Sequence, residues 1–103
     1  MITSVPETLS ASAVGVEVSA DALSVFLSDG RCVAVPIGWY LRLEHGQPEE
    51  RKQWRLIGGG QGISWPLLDE DISVEGLLAG RASNESQKSL LRWLKSRAVN
   101  IDE

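Results

Sequence analysis

The sequence predicts an α+β fold: an antiparallel sheet made of two hairpin or meander units, interspersed with short helices and followed by a C-terminal amphipathic helix. Three observations carry this. Between Ala13 and Ile37, apolar and polar residues alternate in three runs separated by turn residues, the period expected of strands with one buried face. Two further short runs, Trp54 to Ile57 and Ile63 to Trp65, bracket the glycine-rich Gly58-Gly59-Gly60-Gln61-Gly62. From Asn84 onward the period becomes helical, with Leu90, Leu91, Trp93, Leu94 and Ala98 on one stripe.

A chain of 103 residues supports one hydrophobic core and no more. Its composition, 43% apolar and 23% charged, lies well inside the range of chains that fold unaided, so neither cofactor nor staple is expected. Residues 1–12, rich in Ser and Thr, read as a flexible lead-in; 13–82 form the domain; 83–103 form a helix and tail packed on it or extending from it.

Within the domain, Val14, Val16 and Val18 form a first strand. After a polar turn at Ser19 to Asp21, Leu23, Val25 and Leu27 form a second. Ser28-Asp29-Gly30-Arg31 supplies the next turn, because Asp and Gly tolerate the positive φ that tight hairpins require, and Cys32 to Ile37 makes a third strand. The aromatic stretch Gly38 to Leu43 follows Pro36 as a short helical turn with Trp39 and Leu43 on one face. Pro48-Glu49-Glu50-Arg51-Lys52 has the make-up of a helix start. The second hairpin ends at Pro66. Leu67 to Asp71 then leads into a helix capped by Ser73 and stopped at Gly80. The last helix is expected to begin at Ser83 or Asn84, where Asn84 and Gln87 approximate a capping box, and to run to about Arg97.

Most features that resemble chemistry have a structural explanation. Gly58, Gly60 and Gly62 lead into a strand, not a helix N-terminus, and no Lys stands in the loop, so they suit a hairpin turn and not a phosphate cradle. Counted from Asp69, the sixth and twelfth positions hold Val74 and Gly80, which fails the calcium-loop pattern. Asp71 and Glu75 are instead expected near the first turn of the Ser73 helix, where the helix dipole favours acids. A solvent-facing acidic patch at Asp69, Glu70 and Asp71 that meets a basic partner is the alternative. Cys32 reads as a packed thiol, and His45, the single histidine, falls in a loop with no evident nucleophile to serve. Trp54 and Trp65 are expected in the core, whereas Trp39 and Tyr40 suit an exposed aromatic patch. No catalytic triad, paired-histidine helix or CxxC appears, so no enzyme activity, metal or cofactor is expected.

The net charge of −4 opposes phosphate binding overall. Lys88, Arg92, Lys95 and Arg97 nevertheless cluster near the C-terminus as a local basic face. No stretch has the continuous apolar length of a membrane helix, and the first residues lack the basic and apolar regions of a signal peptide, so a soluble, cytoplasmic protein is expected.

The motifs FLSDG (26–30), VPIGWYLRL (35–43), PEERKQW (48–54) and GISWPLLDEDISVEGLL (62–78) together resemble the bacterial domain of unknown function 2442 family. The resemblance spans roughly Ala13 to Gly80 and leaves out the C-terminal helix; Leu41 stands where that family pattern has proline. It implies a compact α+β domain and, because some members are found beside suspected small toxins, an antitoxin-like role. Two functions follow as expectations. The first is a non-catalytic protein-binding or regulatory module, with a protein partner or a second copy of itself, using Trp39, Tyr40, Asp69, Glu70 and Asp71 and the C-terminal helix. The less favoured one is a nucleic-acid-binding regulator presenting Lys88, Arg92, Lys95 and Arg97 on one face.

Overall fold

The computed structural model describes residues 11–102. Its first sheet is a meander of β1 (Ala13–Val18), β2 (Ala22–Leu27) and β3 (Cys32–Pro36), all antiparallel and in that spatial order. Ser19 builds the first turn by accepting hydrogen bonds from the amides of Asp21 and Ala22 through its hydroxyl oxygen. Asp29 builds the second by accepting from the Arg31 amide, while Gly30 takes the positive φ of 94°. Of the predicted lead-in, residues 1–10 lie outside the described residues. Ala11 is buried and Ser12 exchanges hydrogen bonds with Ser28, so these two are packed, extending the β1–β2 pairing.

A bulge in β1 corrects the simple alternation read from the valines. The register shifts between Ala13 and Gly15, so Ala13 and Val16 face inward while Val14 is 59% exposed. Cys32 is exposed, contrary to the packed thiol expected: it pairs with the outward-facing Phe26, and it is Val33 and Val35 that point inward.

After β3 come a single 3-10 turn (Ile37–Trp39), α1 (Leu41–His45) and α2 (Pro48–Arg51). Leu41 is the first helical residue of α1, the one position that suits proline, so the departure from the family-like pattern leaves a helix start in either case. Gln47 and Glu50 cap α2 reciprocally, with proline at its first position.

The second sheet is β4 (Arg55–Ile57), β5 (Gly62–Trp65) and β6 (Glu70–Ser73), again antiparallel and in sequence order. Between β4 and β5, Gly58, Gly59 and Gly60 all have positive φ, as a tight turn of glycines requires. Strand β6 was not foreseen. Asp71, expected at a helix start, is a strand residue paired with Ser64, and only Glu75 of the two acids lies in the first turn of α3 (Val74–Leu78). The predicted cap holds: the Ser73 hydroxyl accepts from the Gly76 amide at 2.9 Å, and Gly80 takes a positive φ beyond the helix end.

The final helix, α4 (Gln87–Asp102), begins three residues after Asn84. Ser86 is the cap, its hydroxyl accepting from the Ser89 amide and its carbonyl from the Leu90 amide. The preceding segment is held extended because the Ser83 amide donates to the Trp39 carbonyl and Glu85 is engaged elsewhere.

Both sheets contribute to one core, with Val16, Leu23, Val25 and Val35 from the first and Ile63, Trp65 and Ile72 from the second, closed by Leu43, Leu68, Val74 and Leu77. Trp65 is fully buried and its indole N–H donates to the Arg51 carbonyl, which satisfies the one polar atom the core would otherwise strand. Trp54 is only half-buried at the edge of this cluster. Among the described residues no helix is long and apolar enough to cross a membrane.

Candidate functional site

Two surfaces merit attention: the outer face of α4 and a cleft beside β6. The first exists because α4 is fastened by its other face. From α1, Arg42 reaches Glu85 through two parallel bonds, Nε to Oε1 and Nη2 to Oε2, both 2.7 Å, while Nη1 donates to the backbone carbonyl and carboxylate of Asp69. The hydrogen bonds from Arg42 hold the Glu85 carboxyl below its ordinary value, and those to Glu85 raise the guanidinium above its own. Arg97 donates to Glu50 at 2.8 Å and thereby lowers the Glu50 carboxyl. Both guanidiniums lie over the Trp93 ring, Arg42 at 5.0 Å and Arg97 at 4.7 Å from its centroid.

Leu90, Trp93, Leu94 and Arg97 therefore form the inward stripe of α4, at spacings of three and four residues. The opposite stripe is Lys88, Leu91, Arg92 and Lys95. All four are exposed, Leu91 at 61%, and the three bases form no ion pair among the described residues. Arg97, expected beside them, is turned inward to Glu50.

The acidic turn does not form one patch. Asp69 is exposed in a left-handed conformation and bonded to Arg42; Glu70 is half-buried on the same side of β6 as Ile72; Asp71 is exposed on the other side. Nor do Trp39 and Tyr40 make an exposed aromatic patch. Tyr40 is buried, its hydroxyl donating to the Arg81 carbonyl at 3.2 Å, and Trp39 is half-buried against the core.

The cleft beside β6 has a volume of about 560 Å³ and is lined by Glu70–Ser73 and residues 81–84, together with Tyr40, Gly76 and Leu77. Burial pushes the Glu70 carboxyl up to about 7; Arg42 opposes the shift, and Glu85, Asp71 and Asp69 add to it. Burial, then the Glu70 charge, also raises the Tyr40 hydroxyl. Among the described residues no group of three or more histidine, cysteine or carboxylate side chains is placed to hold a metal.

Sequence reasoning missed Arg42, Glu50 and Glu85. The first and last are separated by 43 residues, and such a pair leaves no local signature. Only the i, i+4 spacing of Glu85 with Ser89 and of Trp93 with Arg97 was there to be read.

Comparison with curated proteins finds no match. Two solved structures are similar. A crystal structure of a protein of unknown function from Rhodospirillum rubrum is 26% identical with a TM-score of 0.63, covering 75% of this chain and 95% of that one. The solution structure of an uncharacterised protein from Chromobacterium violaceum is 20% identical with a TM-score of 0.65, covering 85% of this chain and 81% of that one, and speaks for the fold alone. The family model described as protein of unknown function (DUF2442) matches residues 13–83, both sheets and all three short helices, and the chain belongs to that family.

Proposed function

We propose that the protein is a small, non-catalytic protein-binding module that docks an acidic partner surface on the outer face of α4. One observation carries this reading: the helix is fastened to its own domain by Trp93, Arg97 and Glu85, yet presents Leu91, 61% exposed, among Lys88, Arg92 and Lys95, which form no ion pair among the described residues. An exposed leucine inside a ring of like charges supplies both halves of a protein contact, an apolar anchor and a charge pattern that selects the partner. The domain itself is acidic, so the basic stripe is a local feature against a net charge of −4. A regulatory module of this kind masks its partner, which is what an antitoxin-like protein does.

The same three exposed bases favour a second reading, contact with nucleic-acid phosphates. Three neutralised phosphates give a log–log salt slope of roughly −3.

The test is affinity capture of the tagged full-length protein from its host, with bound protein and nucleic acid assayed together, for the wild type, Leu91→Asp and a triple Lys88→Glu, Arg92→Glu, Lys95→Glu variant. A stoichiometric protein with an acidic contact surface, lost in both variants, is expected. Salt-labile nucleic acid retained by Leu91→Asp and lost by the triple variant overturns the protein reading in favour of the second.

A further inference from the structure

The cleft beside β6 is a separate feature from α4. All four residues of β6 line it, although their side chains alternate between the two faces of the sheet, so the cleft runs along the edge of the strand. That edge is open: β6 pairs with β5 alone among the described strands. The register fixes which groups it offers. The Val74 amide donates to the Gln61 carbonyl, and hydrogen-bonded pairs alternate in an antiparallel ladder, so Ile72 with Ile63 and Glu70 with Trp65 are the bonded pairs. The backbone N–H and C=O of Asp71 and the N–H of Ser73 therefore point away from β5, on the cleft side, while the Ser73 carbonyl, at the N-cap of α3, serves the first turn of that helix.

At one end stands Glu70. Its carboxylate has no hydrogen bond or ion pair among the described residues, because the nearby guanidinium of Arg42 is committed to Glu85 and Asp69. At the other end lies Arg81, whose guanidinium nitrogens come within 3.9 Å of where a Gly76 side chain would begin. The cleft thus carries at its Glu70 end a carboxyl with no ion-pair partner among the described residues, adds the exposed Asp71 beside it, and has its one lining cation, Arg81, by the Ser73 end.

We propose that this cleft is a β-addition site that takes an extended peptide segment as a fourth strand of the second sheet, with a lysine or arginine side chain of that peptide seated on Glu70. Main-chain bonds to Asp71 and Ser73 supply affinity without regard to sequence, and the Glu70 carboxylate supplies selection for a cation. The four residues of β6 span roughly 13 Å, enough to pair three or four residues of an incoming strand.

The test pans a phage-displayed library of random seven-residue peptides on the full-length protein, then measures the affinity of resynthesised winners and the amide exchange of the complex. Enriched peptides are expected to carry Lys or Arg within an alternating apolar pattern and to slow exchange at the Asp71 and Ser73 amides. Glu70→Gln should weaken them at least tenfold. Asp71→Pro removes an outward N–H that no ladder bond uses, and should abolish binding; should it fail to fold, Glu70→Gln and the exchange data decide alone. No enrichment, enrichment of acidic peptides, or binders indifferent to Glu70→Gln that protect amides of residues 87–97 would overturn the proposal. The last of these outcomes leaves the α4 reading intact, so the two sites fail separately.

Discussion

Arg42 and Glu85 face each other in a two-pronged ion pair, both N–O distances 2.7 Å, with only 16% and 8% of their side chains exposed. The pair joins the first short helix to the segment that launches α4, and it shares Arg42 with Trp93 and Asp69. Glu85→Ala leaves the guanidinium with hydrogen bonds to Asp69 alone, beside its contact with the Trp93 ring, and should cost about 1–3 kcal/mol, between the worth of an exposed pair and that of a deeply buried one. Denaturant unfolding of the wild type and variant measures it. Glu85→Asp, too short for both bonds, should recover only part.

Trp93→Ala should cost about 2 kcal/mol, less than the ~3–5 kcal/mol of a fully buried indole, because Trp93 is half-buried and two guanidiniums supply much of its contact. Faster amide exchange in α4, with β2 and β5 unchanged, is the expected signature. An unaltered unfolding midpoint would show that the helix is held without this ring.

The pH dependence of Glu70 has a definite sign. Its carboxyl titrates near 7 in the folded protein against 4.5 ordinarily, through burial first and then the net effect of Arg42, Glu85, Asp71 and Asp69, with Tyr40 also close. Below pH 4.5 both states hold the proton and Glu70 has no effect; as pH rises towards 7 the unfolded chain releases it first, and stability is lost. Glu70→Gln should therefore match the wild type at pH 4 and melt a few degrees higher at pH 8. Melting curves across that range check this.

Two neighbouring glycines should respond differently to alanine. At Gly59, φ is +66° with nothing within 4 Å of an added Cβ, so the cost is only that of the left-handed backbone, about 1 kcal/mol. At Gly60, φ is +90° and the added carbon would sit 2.8 Å from both the Ala13 carbonyl oxygen and the Ser12 Cβ; the cost should be roughly 3 kcal/mol or more. Unfolding midpoints of the two variants give the comparison.

The sequence was legible where local chemistry decides the structure. The alternating valines and leucines, the Asp29-Gly30 turn, the proline-led α2 and the Ser73 cap all report themselves within a few residues. Strand β6 was hidden because Glu-Asp-Ile-Ser carries one apolar residue and takes its conformation from pairing with β5. The bulge at Gly15 reversed Val14, and the outward register of β3 exposed Cys32, neither of which the alternation by itself can set. The acidic triplet looked uniform, yet an αL residue at Asp69 and the strand that follows send its three carboxylates to three environments. Of the candidate residues, Lys88, Arg92 and Lys95 were placed together by helical spacing alone, whereas the Glu70 cleft depends on strand pairing.

Among the described residues, the polar anchors of α4 and the segment before it, at Arg42, Glu50 and the Leu67 carbonyl, belong to the stretch matched by the family model, while the helix lies beyond it and lays Trp93 against the main apolar cluster from outside. The helix is thus a graft on the rootstock of the family. Its outer face can drift towards new partners without disturbing the interior, and a replacement would have to relearn only a handful of polar contacts and the seat of Leu90 and Trp93.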